Sequence, residues 1–143
     1  MEPEVSRPVV FEAFDAGSHL DGIVALLAAI GWDNFDYDPE LTRRSLTAPG
    51  VTTIAAVERE GGRVVGFAQV FADGVFQAHL GLLAVDEGWR RRGVGGGLVS
   101  EVFARVGARR MDLISSEESL PFYRTFRHRE QVGFRIYSDR ESD

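Results

Sequence analysis

The most constraining feature of this chain is the run Leu82-Leu83-Ala84-Val85-Asp86-Glu87-Gly88-Trp89-Arg90-Arg91-Arg92-Gly93-Val94-Gly95-Gly96-Gly97. An apolar stretch passes into an arginine-rich loop, then into glycines, then into a helical face of Leu98, Val99, Val102, Phe103 and Val106. Glycine inside a helix costs roughly 1 kcal/mol relative to alanine, so three in succession in a first turn ask for a compensation. A ligand supplies one. With no Cβ in the way it can approach the free N–H groups of the first turn, where the helix dipole favours an anion. Arg90, Arg91 and Arg92 add positive charge just ahead of it. Strand, basic loop, Gly-x-Gly and helix together make a pyrophosphate cradle; a tight glycine-rich turn without a ligand is the plainer alternative.

Two nucleotide motifs are excluded. A dinucleotide Gly-x-Gly-x-x-Gly starting at Gly93 needs glycine at 98, where Leu98 stands. A phosphate-binding P-loop needs lysine, and all 16 basic residues are arginine. Residues 88–110 carry six arginines against one acid, although the whole chain has a net charge of −6. An acidic protein with one basic patch suits a small polyanion rather than nucleic acid.

The other patterns define one α/β layer. A strand is expected over Val9–Phe14, then a helix from Ser18, capped through Asp21, that buries Ile23, Leu26, Leu27 and Ile30 and ends at Gly31. Asp38-Pro39 starts a second helix to about Leu46. Strands are expected next at Val51–Glu58, Val64–Phe71 and Val75–Val85, separated by turns at 60–63 and Asp73-Gly74. After the glycine helix come a strand at Arg110–Ser115, a short helix at Ser119–Arg124 and a last strand at Gly133–Tyr137. The 143 residues suit one domain, 1–143, with 1–7 and 138–143 expected as flexible tails. Cysteine is absent and His19, His79 and His128 are scattered, so no metal site is expected. The longest apolar run, Ile23 to Ile30, is far too short to cross a bilayer, and the first residues have no signal-peptide pattern. A cytoplasmic protein without nucleic-acid or membrane partners is the expectation; a homodimer is compatible with it.

The segment Leu82–Gly95 resembles the acetyl-CoA-binding motif of the GNAT N-acetyltransferase superfamily. That motif is an apolar strand ending in valine, a short loop, and Gln/Arg-x-x-Gly-x-Gly/Ala opening a helix; Arg90-x-x-Gly93-x-Gly95 satisfies it without a gap. The resemblance covers most of residues 9–126. It implies a single-domain α/β GNAT fold: a mixed, mostly antiparallel sheet with helices on both faces. Its central strands, Val75–Val85 and Arg110–Ser115, would splay apart and hold acetyl-CoA as co-substrate. Leu83 and Val85, flanking Ala84, would pair their backbones with pantetheine. Arg90, Arg91, Arg92, Gly93, Val94, Gly95 and Gly96 would hold the pyrophosphate.

The resemblance also assigns chemistry. Leu120-Pro121-Phe122-Tyr123 is similar to the Pro-Phe-Tyr of arylalkylamine N-acetyltransferases, which makes Tyr123 the candidate acid for the leaving thiolate. His79, six residues before Val85, resembles the general-base position, although Gly81 replaces the second histidine of that relative. Core packing of Tyr123 and a structural His79 are the alternatives. Trp32, Asp33 and Asp36, in an acidic and aromatic stretch between the first two helices, would suit a cationic small-molecule or peptide amine. A non-catalytic acyl-CoA sensor and a peptide-binding module are the competing readings.

Overall fold

The computed structural model describes residues 8–32 and 38–139. The tail residues 1–7 and 140–143 lie outside the described residues, as do Asp33 and Asp36. The chain divides into two compact units, Met1–Asp112 and Leu113–Asp143.

The first unit contains β1 (Val9–Ala13), α1 (Ala16–Ile30), α2 (Pro39–Leu46), β2 (Val51–Glu58), β3 (Val64–Ala72), β4 (Gln77–Val85), α3 (Val94–Val106) and β5 (Arg110–Asp112). The strands form one sheet in sequence order, antiparallel throughout except for the parallel pair β4–β5. Strand alternation places helices on its two faces. Val10 packs with Ile23, Leu27, Leu46, Val57 and Phe67 in the cluster under α1 and α2. Its neighbour Phe11 points the other way and meets Gly97 of α3. Ile23 and Leu27 are fully buried, and removing each from water contributes roughly 1.5–3 kcal/mol.

Two irregularities shape the outer edge of β4. Gln69 pairs with Leu82 and Val70 with Leu80, which leaves Gly81 as an extra residue bulged out of β4. Beyond it, β5 pairs only with Gln77, Ala78 and His79, so β4 from Leu80 to Val85 has no strand on its outer edge among the described residues. The expected splay is present.

Several boundaries differ from the sequence expectation. α1 starts at Ala16 rather than Ser18, because the Asp15 side chain accepts from the Ser18 N–H at 3.0 Å and caps the helix earlier. β4 starts at Gln77 rather than Val75. The Asp73 carboxylate accepts from the N–H groups of Val75, Phe76 and Gln77, holding the first two of these residues in a turn. Phe103, expected on the buried face of α3, is 36% exposed. β5 stops at Asp112, where β4 departs from it.

In the second unit a 3₁₀ turn, Glu117–Ser119, leads into α4 (Leu120–Tyr123). The strand expected at Gly133–Tyr137 is not formed: no sheet partner exists for it among the described residues. Its alternating Val132, Phe134 and Ile136 are 85%, 80% and 90% exposed. Alternation alone encodes a strand face, and without a neighbouring edge it does not make a strand.

Candidate functional site

The glycine loop is built by hydrogen bonds that close on themselves and leave one set of donors open. Asp86 follows β4, and its carboxylate accepts from the Gly88 N–H at 3.1 Å, starting a single 3₁₀ turn at Glu87–Trp89. The chain then needs two left-handed residues, Arg91 with φ 64° and Gly93 with φ 84°. Glycine adopts that conformation freely; at Arg91 it is strained. The turn brings the chain back so that α3 begins at Val94 with Gly93 as its cap. Gly93 has no side chain to offer, and its carbonyl takes the Gly97 N–H at 2.9 Å. The N–H groups of Val94, Gly95 and Gly96 therefore have no partner within the helix, at its positive end. Space above them is open, since a Cβ built on Gly93 or Gly96 meets nothing within 4 Å.

The arginines take different places. The Arg92 guanidinium lies 4.7 Å from the centre of the Trp89 ring. Arg90 folds back, and its Nε donates to the Val85 carbonyl at 3.1 Å. Arg91 is exposed. Six unpaired arginine charges would repel one another, but Arg105 is held by Glu101 at 3.2 Å on the far end of α3.

Backbone direction on β4 is set by one bond. The Asp86 N–H donates to the Val65 carbonyl on β3. By alternation Ala84 also turns its backbone towards β3, whereas Leu83 and Val85 turn theirs to the open edge. Ala84, expected within the binding stretch, has its methyl in the core at 4% exposure. Leu83 and Val85 are the residues that present backbone groups to the cleft.

His79 stands where the cleft begins, as the last residue of β4 paired to β5. Its cross-strand neighbours are Phe71 on β3 and Asp112 on β5. The His79 and Phe71 rings lie nearly parallel, 13° apart, with centroids 6.2 Å from one another. Together with Asp73, Asp112 and the Pro49-Gly50 corner they line an open hollow of about 490 Å³.

Gly81 explains why a second histidine is missing from this strand. A Cβ there would lie 2.7 Å from Phe71 Cε2 and 3.0 Å from Gln69 Oε1, so any side chain displaces one of them. Gln69 is 3% exposed, and its amide nitrogen donates to the backbone oxygen of Ser45 on α2 and to Ser45 Oγ at 3.1 and 3.0 Å. Its Oε1 accepts no hydrogen bond among the described residues. Sequence reasoning alone does not single out Gln69, Phe71 or Asp112. A glutamine inside an apolar strand and a glycine opposite it are the available signals.

Tyr123 belongs to the second unit, on α4, half-buried and edge-on to Phe122 with centroids 4.9 Å apart. Burial pushes its phenol above the usual value. Trp32 is partly buried and packs against the core cluster that contains Ile23, Leu26 and Leu27 of α1.

The chain matches the family described as an acetyltransferase (GNAT) domain over residues 50–127, more than half its length. That span holds β2 to α4, including the loop and the splayed strands. The chain therefore belongs to the GNAT acetyltransferases and is an acyl-CoA-dependent N-acetyltransferase. Solved structures share the fold. A Trypanosoma brucei acetyltransferase is 24% identical with a TM-score of 0.64, covering 90% of this chain and 99% of that one. An aminoglycoside acetyltransferase from an uncultured soil metagenomic sample, in complex with sisomicin, is 20% identical with a TM-score of 0.73, covering 94% and 98%. AAC(6')-Iy, in complex with the bisubstrate analogue CoA-S-monomethyl-acetylneamine, is 19% identical with a TM-score of 0.71, covering 91% and 98%. No curated protein matches the chain. Among the described residues no helix is long and apolar enough to cross a membrane, and no group of three or more potential metal ligands occurs.

Proposed function

We propose that this protein transfers the acetyl group of acetyl-CoA to the amine of a small-molecule acceptor by direct attack. The observation that carries the reading is the conjunction of two unsatisfied backbone surfaces on one strand–loop–helix unit. The open edge at Leu83 and Val85 suits the amides of pantetheine, as an added strand suits a sheet edge. The free N–H groups of Val94, Gly95 and Gly96, with Arg90, Arg91 and Arg92, suit the pyrophosphate. A plain turn would need neither. To bind, pantetheine must replace the Arg90 guanidinium on the Val85 carbonyl, which frees that arginine for phosphate.

In the transfer, the amine lone pair attacks the thioester carbonyl carbon, the C–S bond breaks and sulfur leaves as thiolate. His79 takes the proton of the attacking nitrogen, and the Tyr123 hydroxyl supplies one to sulfur. Neighbours of this fold in complex with sisomicin and with a CoA–acetylneamine conjugate support an amine acceptor.

Calorimetry with acetyl-CoA, followed by CoA release against a panel of amines, tests the reading. Binding and release together are expected. Binding without release for any amine would make the protein an acyl-CoA sensor, and absence of binding would end the reading.

A further inference from the structure

The peptide between Val85 and Asp86 points two ways. Its N–H donates to the Val65 carbonyl on β3 at 2.8 Å, so its carbonyl, that of Val85, faces the opposite edge. β5 leaves β4 at His79, and no strand among the described residues takes that carbonyl. A side chain takes it instead. The Arg90 Nε donates to it at 3.1 Å, from five residues along the chain. The 3₁₀ turn Glu87–Trp89 ends on Arg90 and folds the chain back far enough for this reach.

The partner is a neutral one, although acids are close in sequence. Asp86 stands four residues back and Glu87 three, yet Arg90 forms no ion pair among the described residues. Asp86 Oδ2 is engaged elsewhere, by the Gly88 N–H at 3.1 Å and by the Arg63 guanidinium at 3.9 Å. Arg90 is exposed, so its bond to Val85 competes with water and is readily exchanged. A phosphate is the stronger acceptor. Hydrogen bonds between a guanidinium and an anionic oxygen are shorter and roughly twice as strong as neutral ones.

We propose that Arg90 is a latch that sets donor specificity: it covers the Val85 carbonyl until the phosphates of an acyl donor draw it away. The inference rests on the acetyl-transfer reading and adds how that site tells thioesters apart. A pyrophosphate held at Val94, Gly95 and Gly96 gives the guanidinium a better partner than Val85. The bared carbonyl then accepts an amide N–H of pantetheine. A thioester on pantetheine without phosphates, or on a short thiol, has to dislodge the guanidinium with nothing to receive it. Arg90 therefore acts twice, in favour of a phosphate-bearing donor and against one that lacks phosphate. The two ends of the CoA site are coupled through this one side chain.

The test splits CoA into its halves and titrates them into the full chain by calorimetry. In the parent, saturating inorganic pyrophosphate should tighten pantetheine binding about fivefold, and pantetheine should tighten pyrophosphate by the same factor. Arg90→Met keeps an unbranched stem and removes the guanidinium. It should bind pantetheine several-fold more tightly than the parent does, lose the coupling, and bind CoA more weakly. That crossed pair of signs is the signature of the latch; an arginine that only contacts phosphate weakens CoA and leaves pantetheine alone. Absence of coupling in the parent, or a pantetheine affinity that Arg90→Met does not raise, overturns the inference. The parental coupling decides by itself should the variant not fold. The two readings fail separately. CoA release to an amine without coupling keeps transfer and ends the latch; coupling without CoA release to any amine keeps the latch and ends the transfer reading.

Discussion

Gly97 on α3 and Phe11 on β1 approach so closely that a Cβ on the glycine would overlap the phenyl ring. One member of the glycine run is thus explained by packing, since it lets the helix settle onto the first strand. Gly96, one residue earlier, meets nothing. The run therefore serves two purposes that substitution can separate.

Gly97→Ala should lower stability by about 1–3 kcal/mol, because overpacking outweighs the gain in helix propensity. Gly96→Ala should raise it by about 0.5–1 kcal/mol. Urea unfolding of the two variants gives both numbers. Gly96→Val should then weaken CoA binding about tenfold or more in a protein that still folds. Parental CoA affinity in Gly96→Val would reduce the loop to a turn.

On the proposed reading the phosphates of CoA meet Arg90, Arg91 and Arg92 at the N-terminus of α3, so CoA affinity should fall as salt rises. Arg91→Gly is the informative variant. It relieves a residue held at φ 64°, so stability should stay within about 1 kcal/mol of the parent or rise. CoA binding should weaken nonetheless, and its salt dependence should become shallower. Calorimetry at two ionic strengths decides; an unchanged salt dependence would remove Arg91 from the cradle.

The strand–loop–helix unit was legible in the sequence because it is local: strand, loop, glycines and helix are contiguous from Leu82 to Val106. So were the hairpin strands β2 and β3, whose apolar runs and turn residues sit side by side. What sequence did not disclose depends on pairing between distant segments. Gly81 stands out only once the β3–β4 register places Phe71 and Gln69 against it. Asp112 joins His79 only through a parallel pairing 33 residues apart, by the numbering His79↔Asp112. The converse error has the same root: Val132, Phe134 and Ile136 alternate like a strand, yet no edge pairs with them among the described residues.

Tyr123 tests the leaving-group half of the reaction. A phenol near 10 facing a thiol near 8.5 is short of full proton transfer by about 1.5 pKa units, or about 2 kcal/mol. Burial lifts the phenol further, which widens the gap in favour of a strong hydrogen bond to sulfur over complete transfer. The sign of that shift fixes the pH behaviour. A raised phenol stays protonated past its usual range, so Tyr123 itself should impose no loss of rate below about pH 10. Tyr123→Phe should lower turnover by roughly 10²–10³-fold with little change in CoA affinity. Unchanged turnover would leave Tyr123 as a packing residue against Phe122.

In the proposed mechanism His79 carries the attacking half. A primary amine with a pKa near 10 is nucleophilic in only about one molecule per thousand at pH 7, so an enzyme working there gains by removing the ammonium proton in place. A neutral imidazole can accept that proton in place. His79→Ala should lose the activity at neutral pH and leave a rate that rises only as the free amine deprotonates. The Phe71 ring stacked beside His79 offers a control, because Phe71→Leu alters the wall of the hollow but removes no proton acceptor. It should raise KM for the amine several-fold and keep the activity at neutral pH. A parental pH profile in His79→Ala would hand the proton to water or to another residue, and with it the parallel to the arylalkylamine enzymes would end at this strand.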